Sequence, residues 1–500
     1  MEFRRMSDLE TAFSEITKFL YSHQEWLAVF SSGKTFSLQK AEIEITFEQN
    51  KILFGFLDEK GFQIWRVTDF KFENEKITLN LTRNFEKETE KINLVPRVSA
   101  RELGEAVELA RLEKANKIAR LLAQEFRAAK LLRVALNQET GRFAQIIFQI
   151  QNGKQTAALA DVSDQAVPEN LLTTAILWLS NLERRKKNPV DTIWILAEKK
   201  TRKNLQKLHA LLRENWRRKI KIFEISREGA KEQREEGLIE AADFDFFDLW
   251  REKAGKIHLT ENAELSQMAQ EILKIAPDEI DVLFSRNGET LRFRGLPFAR
   301  VRKVFGEEKA WFGIEQNRQI LSEKTWEDFL QLIESLKNNR RFDAPNKRHE
   351  FYRLAPESWL EFILRQNIKL LDANLILSPI YNQFRTDRDK IDLLALRRDG
   401  RLIIIELKVS PDREMIFQAL DYWRKIELQR RAGTLQKAKV FGDLEIKNAP
   451  ALVYLVAPTL SFHPHFDFLA GTVSKKVEIY RFDLNENWRE NLKVLRRERV

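Results

Sequence analysis

Apolar and polar positions along the chain change period several times, and each change predicts a different element. Ser7-Asp8-Leu9-Glu10 has the form of a capping box, and apolar residues recur behind it at helical spacing to about Leu20. From Ile43 to about Val95 the period becomes two, as in Ile43-Glu44-Ile45-Thr46-Phe47 and Ile77-Thr78-Leu79-Asn80-Leu81, with turn residues between the runs. This predicts a small antiparallel β unit. Helical spacing returns over 99–130, with no proline and with no glycine after Gly104, so a long helix is expected there. Strands are predicted at 143–150, 156–162, 192–197 and 220–225, and helices at 169–185 and 202–217, the alternation of an α/β domain. The charged stretch 226–237 reads as a linker, followed by a strand pair near 282–293, a helix over 324–338 and a basic, poorly periodic stretch at 339–350. The fold class expected is therefore multidomain α+β and α/β. Its parts are an N-terminal helix plus β-rich domain over 1–98, an α/β domain over 99–227, a linker and mixed connector over 228–350, and a last domain over 351–500.

Composition narrows the function classes. With 500 residues the chain exceeds what one hydrophobic core organises, and 43% hydrophobic with 32% charged residues is the balance of a folded globular protein. Lysine and arginine number 85 against 75 acidic residues, a formal charge of +10, which favours a polyanionic partner. Zero cysteines exclude disulfides, thiolate catalysis and cysteine-ligated zinc, and fit a reducing cytoplasm. The N-terminal residues carry no apolar signal-peptide core, and the longest uncharged run, 448–466, is interrupted by Pro450, Pro458 and Pro464. The expectation is a soluble cytoplasmic protein with no membrane contact. No phosphate-cradling glycine-rich loop is present, which argues against an ATP-driven motor.

Candidate chemistry concentrates near residue 400. The runs Ile391-Asp392-Leu393-Leu394-Ala395-Leu396 and Leu402-Ile403-Ile404-Ile405-Glu406-Leu407-Lys408 flank Arg398-Asp399-Gly400, a sequence that favours a three-residue hairpin loop with Gly400 in the left-handed conformation. With that loop Arg397 faces Arg401 and Asp392 faces Glu406, while Lys408 lies two residues along on the same face. Two carboxylates directly opposite each other repel, so an apolar strand pair that carries them needs a compensating cation. Oxygen ligands alone indicate a hard ion, Mg²⁺ or Mn²⁺, able to clamp a phosphate oxygen and activate water. Lys408 is placed to stabilise charge developing at phosphorus, and the reaction class is phosphodiester hydrolysis. Downstream, Gln418 and Tyr422 share one face of a predicted helix. Upstream, Glu357 and Glu361 share a face of another, and either is a candidate to complete the metal site.

The stretch from Glu357 through Trp423 resembles the PD-(D/E)XK (restriction-endonuclease-like) nuclease superfamily, particularly its RecB-like and NucS-like branches, over roughly the last 150 residues. The resemblance implies a mixed sheet flanked by helices and a site made of a helix glutamate, Asp392, Glu406, Lys408 and the Gln418/Tyr422 helix. By that pattern the metal ligands are Glu361, Asp392 and Glu406, with Glu357 the second choice for the helix glutamate. Ile391 stands where the superfamily's name puts a proline, a departure common within it. The activity implied is Mg²⁺- or Mn²⁺-dependent DNA cleavage in repair, recombination or defence. DNA is the expected partner, and a homodimer or a helicase or repair partner is compatible with this reading. A catalytically inactive nucleic-acid-binding or scaffold protein of the same fold, and hydrolysis of RNA, are the competing readings.

A second hairpin aligns with the first. Setting Gly153 against Gly400 places 143–162 on 390–409, so that Asp392 falls on Gln145, Glu406 on Leu159 and Lys408 on Asp161. Further on, Ile193-Trp194-Ile195-Leu196-Ala197 matches Val453-Tyr454-Leu455-Val456-Ala457, and 219–223 matches 476–480. This predicts that about 105–227 is a degenerate nuclease-like copy without its metal ligands, unless generic α/β order produced the alignment. Arg292-Phe293-Arg294-Gly295-Leu296-Pro297-Phe298-Ala299-Arg300 reads either as a phosphate-contacting strand or as an edge strand with solvated arginines, the second being favoured. Arg340 and Arg341 read as an ordinary solvated end, although their place just before the last domain would also let them line a DNA groove. His463-Pro464-His465 reads as structural, and Trp359, Trp423 and Trp488 read as core anchors.

Overall fold

The computed structural model describes residues 9–30, 35–58, 61–73, 76–83, 88–96, 100–126, 129–150, 153–228, 235–255, 264–285, 288–304, 307–315, 318–378 and 392–500. The chain divides into two compact units. The first comprises 1–171, 177–202 and 220–241, and the second 172–176, 203–219 and 242–500. Ser7-Asp8, the predicted capping residues, lie outside the described residues.

In the first unit α1 (Leu9–Leu20) precedes β1 (Glu25–Phe30), β2 (Thr35–Gln39), β3 (Ile43–Glu48), β4 (Lys51–Asp58), β5 (Gly61–Glu73), β6 (Lys76–Arg83) and β7 (Glu88–Pro96). These strands form one antiparallel sheet in the order β2-β1-β7-β6-β5-β4-β3. Ala12, Ile16 and Leu20 of α1 share a buried cluster with Trp26, Phe54 and Leu79, which is the expected consequence of helical period meeting strand period over one core. The chain continues through α2 (Ala100–Glu125), β8 (Lys130–Leu136), β9 (Phe143–Gln149), β10 (Gln155–Asp161), α3 (Pro168–Glu183), β11 (Ile193–Glu198), α4 (Lys199–His209), α5 (Glu214–Arg217), β12 (Ile220–Glu228) and β13 (Glu235–Glu240). Strands β8 to β13 lie side by side in chain order.

Three expectations need correction here. The long helix ends at Glu125, and Lys130 opens an edge strand. Lys130-Leu131-Leu132-Arg133-Val134-Ala135-Leu136 satisfies either period, and pairing with β9 decides it. The supposed linker is partly β structure: β12 runs to Glu228 and β13 begins at Glu235, paired antiparallel, while 229–234 lie outside the described residues. Its charges are those of an edge strand, where they oppose pairing with other chains. The helix expected over 202–217 is two helices separated at 210–213.

In the second unit α6 (Gln267–Ile275) packs on β14 (Ile280–Ser285), β15 (Gly288–Phe293), β16 (Leu296–Val304), β17 (Glu307–Phe312) and β18 (Gln319–Ile320), an antiparallel meander followed by α7 (Trp326–Asn339). The predicted strand pair is thus the first part of a larger sheet. Then come α8 (Glu350–Arg353), α9 (Pro356–Gln366), β19 (Leu375–Leu377), β20 (Leu393–Arg397), β21 (Leu402–Leu407), α10 (Met415–Arg431), α11 (Thr434–Lys437), β22 (Leu452–Pro458), α12 (Phe466–Ala470), β23 (Glu478–Leu484) and β24 (Val494–Arg499). Strands β19 to β24 also lie side by side in chain order. Every residue of β21 and β22 is buried, as their near-continuous apolar runs require of central strands covered on both faces. Trp359 and Trp488 are core residues here, and the Trp423 indole N–H donates to the Ala451 carbonyl at 2.8 Å. No helix among the described residues is long and apolar enough to cross a membrane.

Candidate active site

Three residues of turn fix the register on which the site depends. The Gly400 N–H donates to the Arg397 carbonyl at 2.8 Å, and the Arg397 N–H to the Arg401 carbonyl at 2.8 Å. Gly400 has φ +84, a conformation costly for any residue with a Cβ, and a Cβ there would meet the Glu445 carbonyl oxygen at 3.0 Å. Asp399 pairs with Arg397 at 2.7 Å, and the guanidinium brings its carboxyl pKa down to about 2. Leu393 then pairs with Ile405 and Leu394 with Ile404, and one further step sets Asp392 against Glu406. The Leu407 N–H donates to Asp392 Oδ2 at 2.9 Å, so the Asp392 carboxylate is held across the hairpin.

Glu406 is 3% exposed. Its Oε2 is buried without a hydrogen-bond partner, while Oε1 lies 3.4 Å from Lys408 Nζ. Burial pushes the Glu406 carboxyl well above its ordinary pKa, Asp392 adds repulsion, Lys408 opposes the shift, and Glu357 adds further repulsion. For Lys408 burial works against the charge, but Glu406, Glu357 and Asp412 outweigh it and hold the ammonium pKa above its usual value. Lys408 Nζ is 3.2 Å from Asp412 Oδ2. Asp412 was not singled out from the sequence, and its only signal there is a position four residues beyond Lys408.

The two helix glutamates separate. Glu357 sits in the first turn of α9, where the exposed N–H groups favour negative charge, and it acts electrostatically on both Glu406 and Lys408. Glu361, the residue preferred from the sequence, is one turn farther on and 2% exposed. Both its oxygens lie 3.3 Å from Arg292 Nη1. Glu361 is therefore neutralised by a buried guanidinium, and Glu357 is the helix carboxylate in the field of the site. On α10, Gln418 Oε1 is buried without a partner and Tyr422 is half-buried.

Among the described residues no three Asp, Glu or His side chains converge closely enough to hold an ion by themselves. What they offer is an in-register carboxylate pair, with an orphaned Glu406 oxygen and a displaced Glu406 pKa. That donor set fits a hard cation held by one or two carboxylates that keeps much of its water. Asp392 and Glu406 would hold it.

Two arginines read as solvated, or as phosphate contacts, are buried. Arg292 is 2% exposed and bonded to Asp281 and Glu361, so it is neither a solvated edge nor a phosphate contact. Arg340, read as a solvated end that could line a groove, is fully buried and donates to the carbonyls of Phe293, Arg294, Phe351, Leu354 and Ala355. A basic pair misleads because composition alone does not reveal that five carbonyls surround one member. The His463 ring accepts from the His465 N–H at 3.1 Å and so braces its own loop.

The six-stranded sheet β8–β13 repeats the site-bearing sheet strand for strand. In both, the second strand runs antiparallel to the first and the third, the third, fourth and fifth are parallel, and the sixth is antiparallel. Gln145 pairs with Leu159, and Leu159 with Ile195, as Glu406 pairs with Leu455. The alignment needs correction at the next strand: pairing matches Ile220 with Ile479, two residues from the sequence alignment. Where Lys408 stands, this sheet has Asp161, which accepts from Ser163 N, Ser163 Oγ and Ala166 N. A cavity of about 560 Å³ adjoins it, lined in part by Lys114, Lys117, Asp164 and Glu198.

No protein-family model matches the chain, and no curated protein matches it. Among solved structures it is similar to EndoMS in apo form, at 11% identity over 39% of this chain and 87% of that one, with a TM-score of 0.13. An EndoMS–dsDNA2 complex gives the same identity and coverage with a TM-score of 0.14. Scores this low leave the functional argument to the geometry.

Proposed function

We propose that this chain is a metal-dependent DNA nuclease of the PD-(D/E)XK type whose site comprises Glu357, Asp392, Glu406, Lys408, Gln418 and Tyr422. The observation that carries the reading is the buried, partnerless oxygen of Glu406, set opposite Asp392 and beside Lys408. A structural carboxylate would be paired like Glu361, whereas this one retains an unmet need for a cation. A bound Mg²⁺ or Mn²⁺ would supply positive charge to a phosphate oxygen and lower the pKa of water.

The protein's own groups divide the remaining work. Asp392, anchored by the Leu407 N–H, and Glu406 fix where positive charge can reside. Lys408 stays protonated at neutral pH because three carboxylates hold its charge, so it serves as a fixed cation for the phosphate and not as a base. Gln418 on α10 has a buried, unmet acceptor, which on this reading orients a water or a metal-bound neighbour. The first-unit sheet, with Gln145 and Leu159 at the ligand positions, is read as an inactive copy with an architectural or DNA-binding role.

Purified protein incubated with single-stranded, duplex and branched DNA and Mg²⁺ or Mn²⁺ tests the proposal beside Asp392→Ala and Lys408→Ala. Metal-dependent cleavage that falls about 100-fold or more in each variant is expected. DNA binding without cleavage under every metal and substrate would replace the enzyme by a scaffold.

A further inference from the structure

The residue that the site-bearing helix does not give to the site has a different use. Along one face of α9 stand Glu357, Glu361 and Arg365, spaced four apart. Glu357 reaches the field of Glu406, while the next two meet the five-stranded sheet. Asp281 and Arg292 lie directly opposite each other on β14 and β15. Arg292 Nε donates to Asp281 Oδ1 at 3.1 Å and Arg292 Nη1 lies 3.3 Å from both Glu361 oxygens, while Arg365 Nη1 donates to Asp281 Oδ2 at 2.6 Å. Two acids and two guanidiniums thus alternate in a network whose centre, Arg292 and Glu361, is buried.

Two further contacts fall on the same helix. Gly295, in the β15–β16 turn at φ +82, lies against the α9 backbone so closely that a Cβ would stand 2.0 Å from the Ser358 carbonyl oxygen. Arg340 bridges that turn to the helix start, taking the Arg294 carbonyl at 3.1 Å with Nη2 and the Leu354 and Ala355 carbonyls at 2.7 and 3.2 Å. Its guanidinium stacks 4.8 Å from the Trp359 ring, and Ala355, the N-cap, is in the left-handed conformation at φ 42. The small sheet therefore holds the helix by an ion-pair network and a close backbone contact, and Arg340, at the C-terminal end of α7, ties the β15–β16 turn to the residues that precede the helix.

We propose that the five-stranded sheet is a positioning clamp for the active-site helix, with Arg292, through Glu361, as the positioning residue that sets Glu357 against Asp392, Glu406 and Lys408. The inference rests on the nuclease reading for its catalytic consequence, but the mechanical claim stands apart from it. An ordinary interdomain salt bridge would add stability only. A clamp controls where one carboxylate stands, so its loss reaches the metal requirement before it reaches DNA binding.

The test compares wild type with Arg292→Met, with Arg292→Met/Glu361→Leu and with Gly295→Ala. The double variant removes both charges, so no buried charge is stranded and folding is preserved. The expected result is faster hydrogen–deuterium exchange of the 357–361 amides by about tenfold or more in the double variant. The Mn²⁺ dissociation constant, followed by EPR without DNA, should rise about 10-fold to 100-fold. In cleavage kcat should fall while KM for DNA holds, and Glu361→Gln with Arg292 retained should keep most of the wild-type metal affinity. A folded double variant with wild-type exchange and wild-type Mn²⁺ affinity overturns the clamp. If wild type cleaves no DNA, the nuclease reading falls alone, because exchange and Mn²⁺ binding still decide the clamp.

Discussion

A carboxylate such as Glu406 is tolerated in a protein interior only when something else benefits from its charge. Its burial and the repulsion from Asp392 and Glu357 raise its pKa in the folded chain above the unfolded value. The sign follows: as pH rises through the ordinary carboxylate range, the unfolded chain loses this proton first, and the folded state loses stability until its own, higher pKa is passed. Metal-free protein should therefore become less stable on Glu406's account as pH rises above about 4.5. Glu406→Gln should remove that slope and raise the melting temperature at pH 7.5 by about 2–4 °C. Added Mg²⁺ should stabilise wild type and leave the Gln variant unchanged, with metal affinity rising with pH because binding displaces a proton. Differential scanning calorimetry across pH, with and without metal, checks all three outcomes. Arg340 is the contrasting case. Burial, together with Arg489, Arg294 and Arg292, brings its pKa down to about 9, so the cation persists at neutral pH. Arg340→Met should cost about 3 kcal/mol in denaturant unfolding, because several buried carbonyls lose their donor together.

At the scale of elements, the hairpin was legible in the sequence and the surroundings of the two helix glutamates were not. Asp399-Gly400 specifies a loop length, loop length specifies register, and period-two geometry then sets Asp392 opposite Glu406 with no tertiary information. Gly400→Ala is expected to cost about 1–2 kcal/mol through the left-handed backbone alone. The Glu445 carbonyl 3.0 Å from the new Cβ adds to that cost, and chemical denaturation measures it. Choosing between Glu357 and Glu361 was different in kind. Both lie on one face of α9, so helical spacing cannot distinguish them. What separates their surroundings is Arg292, which lies 69 positions upstream, enters the core from another sheet and meets Glu361. Edge strands were misread for a related reason: β8 and β13 carry charge on a half-exposed surface, and only pairing with β9 and β12 distinguishes such a segment from a helix end or a linker.

At the scale of the whole molecule, two six-stranded sheets share strand order and pairing sense, and one has carboxylates where the other has Gln145 and Leu159. If only the second unit binds catalytic metal, Mn²⁺ titration should show one high-affinity class of site, lost in Asp392→Ala. A second class surviving that substitution would contradict the inactive-copy reading. The net charge of +10 gives a further expectation: DNA affinity should fall steeply and log-linearly with salt. Lys408→Ala should reduce that slope by at most about one contact while removing cleavage.

The sequence by itself determined the local quantities: where the period changes, which runs are central strands, the hairpin register, and hence the alignment of Asp392, Glu406 and Lys408. Each depends on neighbours within a few residues, and backbone geometry carries it without the rest of the chain. Tertiary structure alone decided which charges are spent inside the protein. Arg292 and Arg340 read as arginines at solvent and are buried among carboxylates and carbonyls, while Glu406, singled out by its place opposite Asp392, is buried with one oxygen near Lys408 and the other unpartnered. Burial and pairing are properties of what surrounds a side chain, and those surroundings come from segments far apart in sequence.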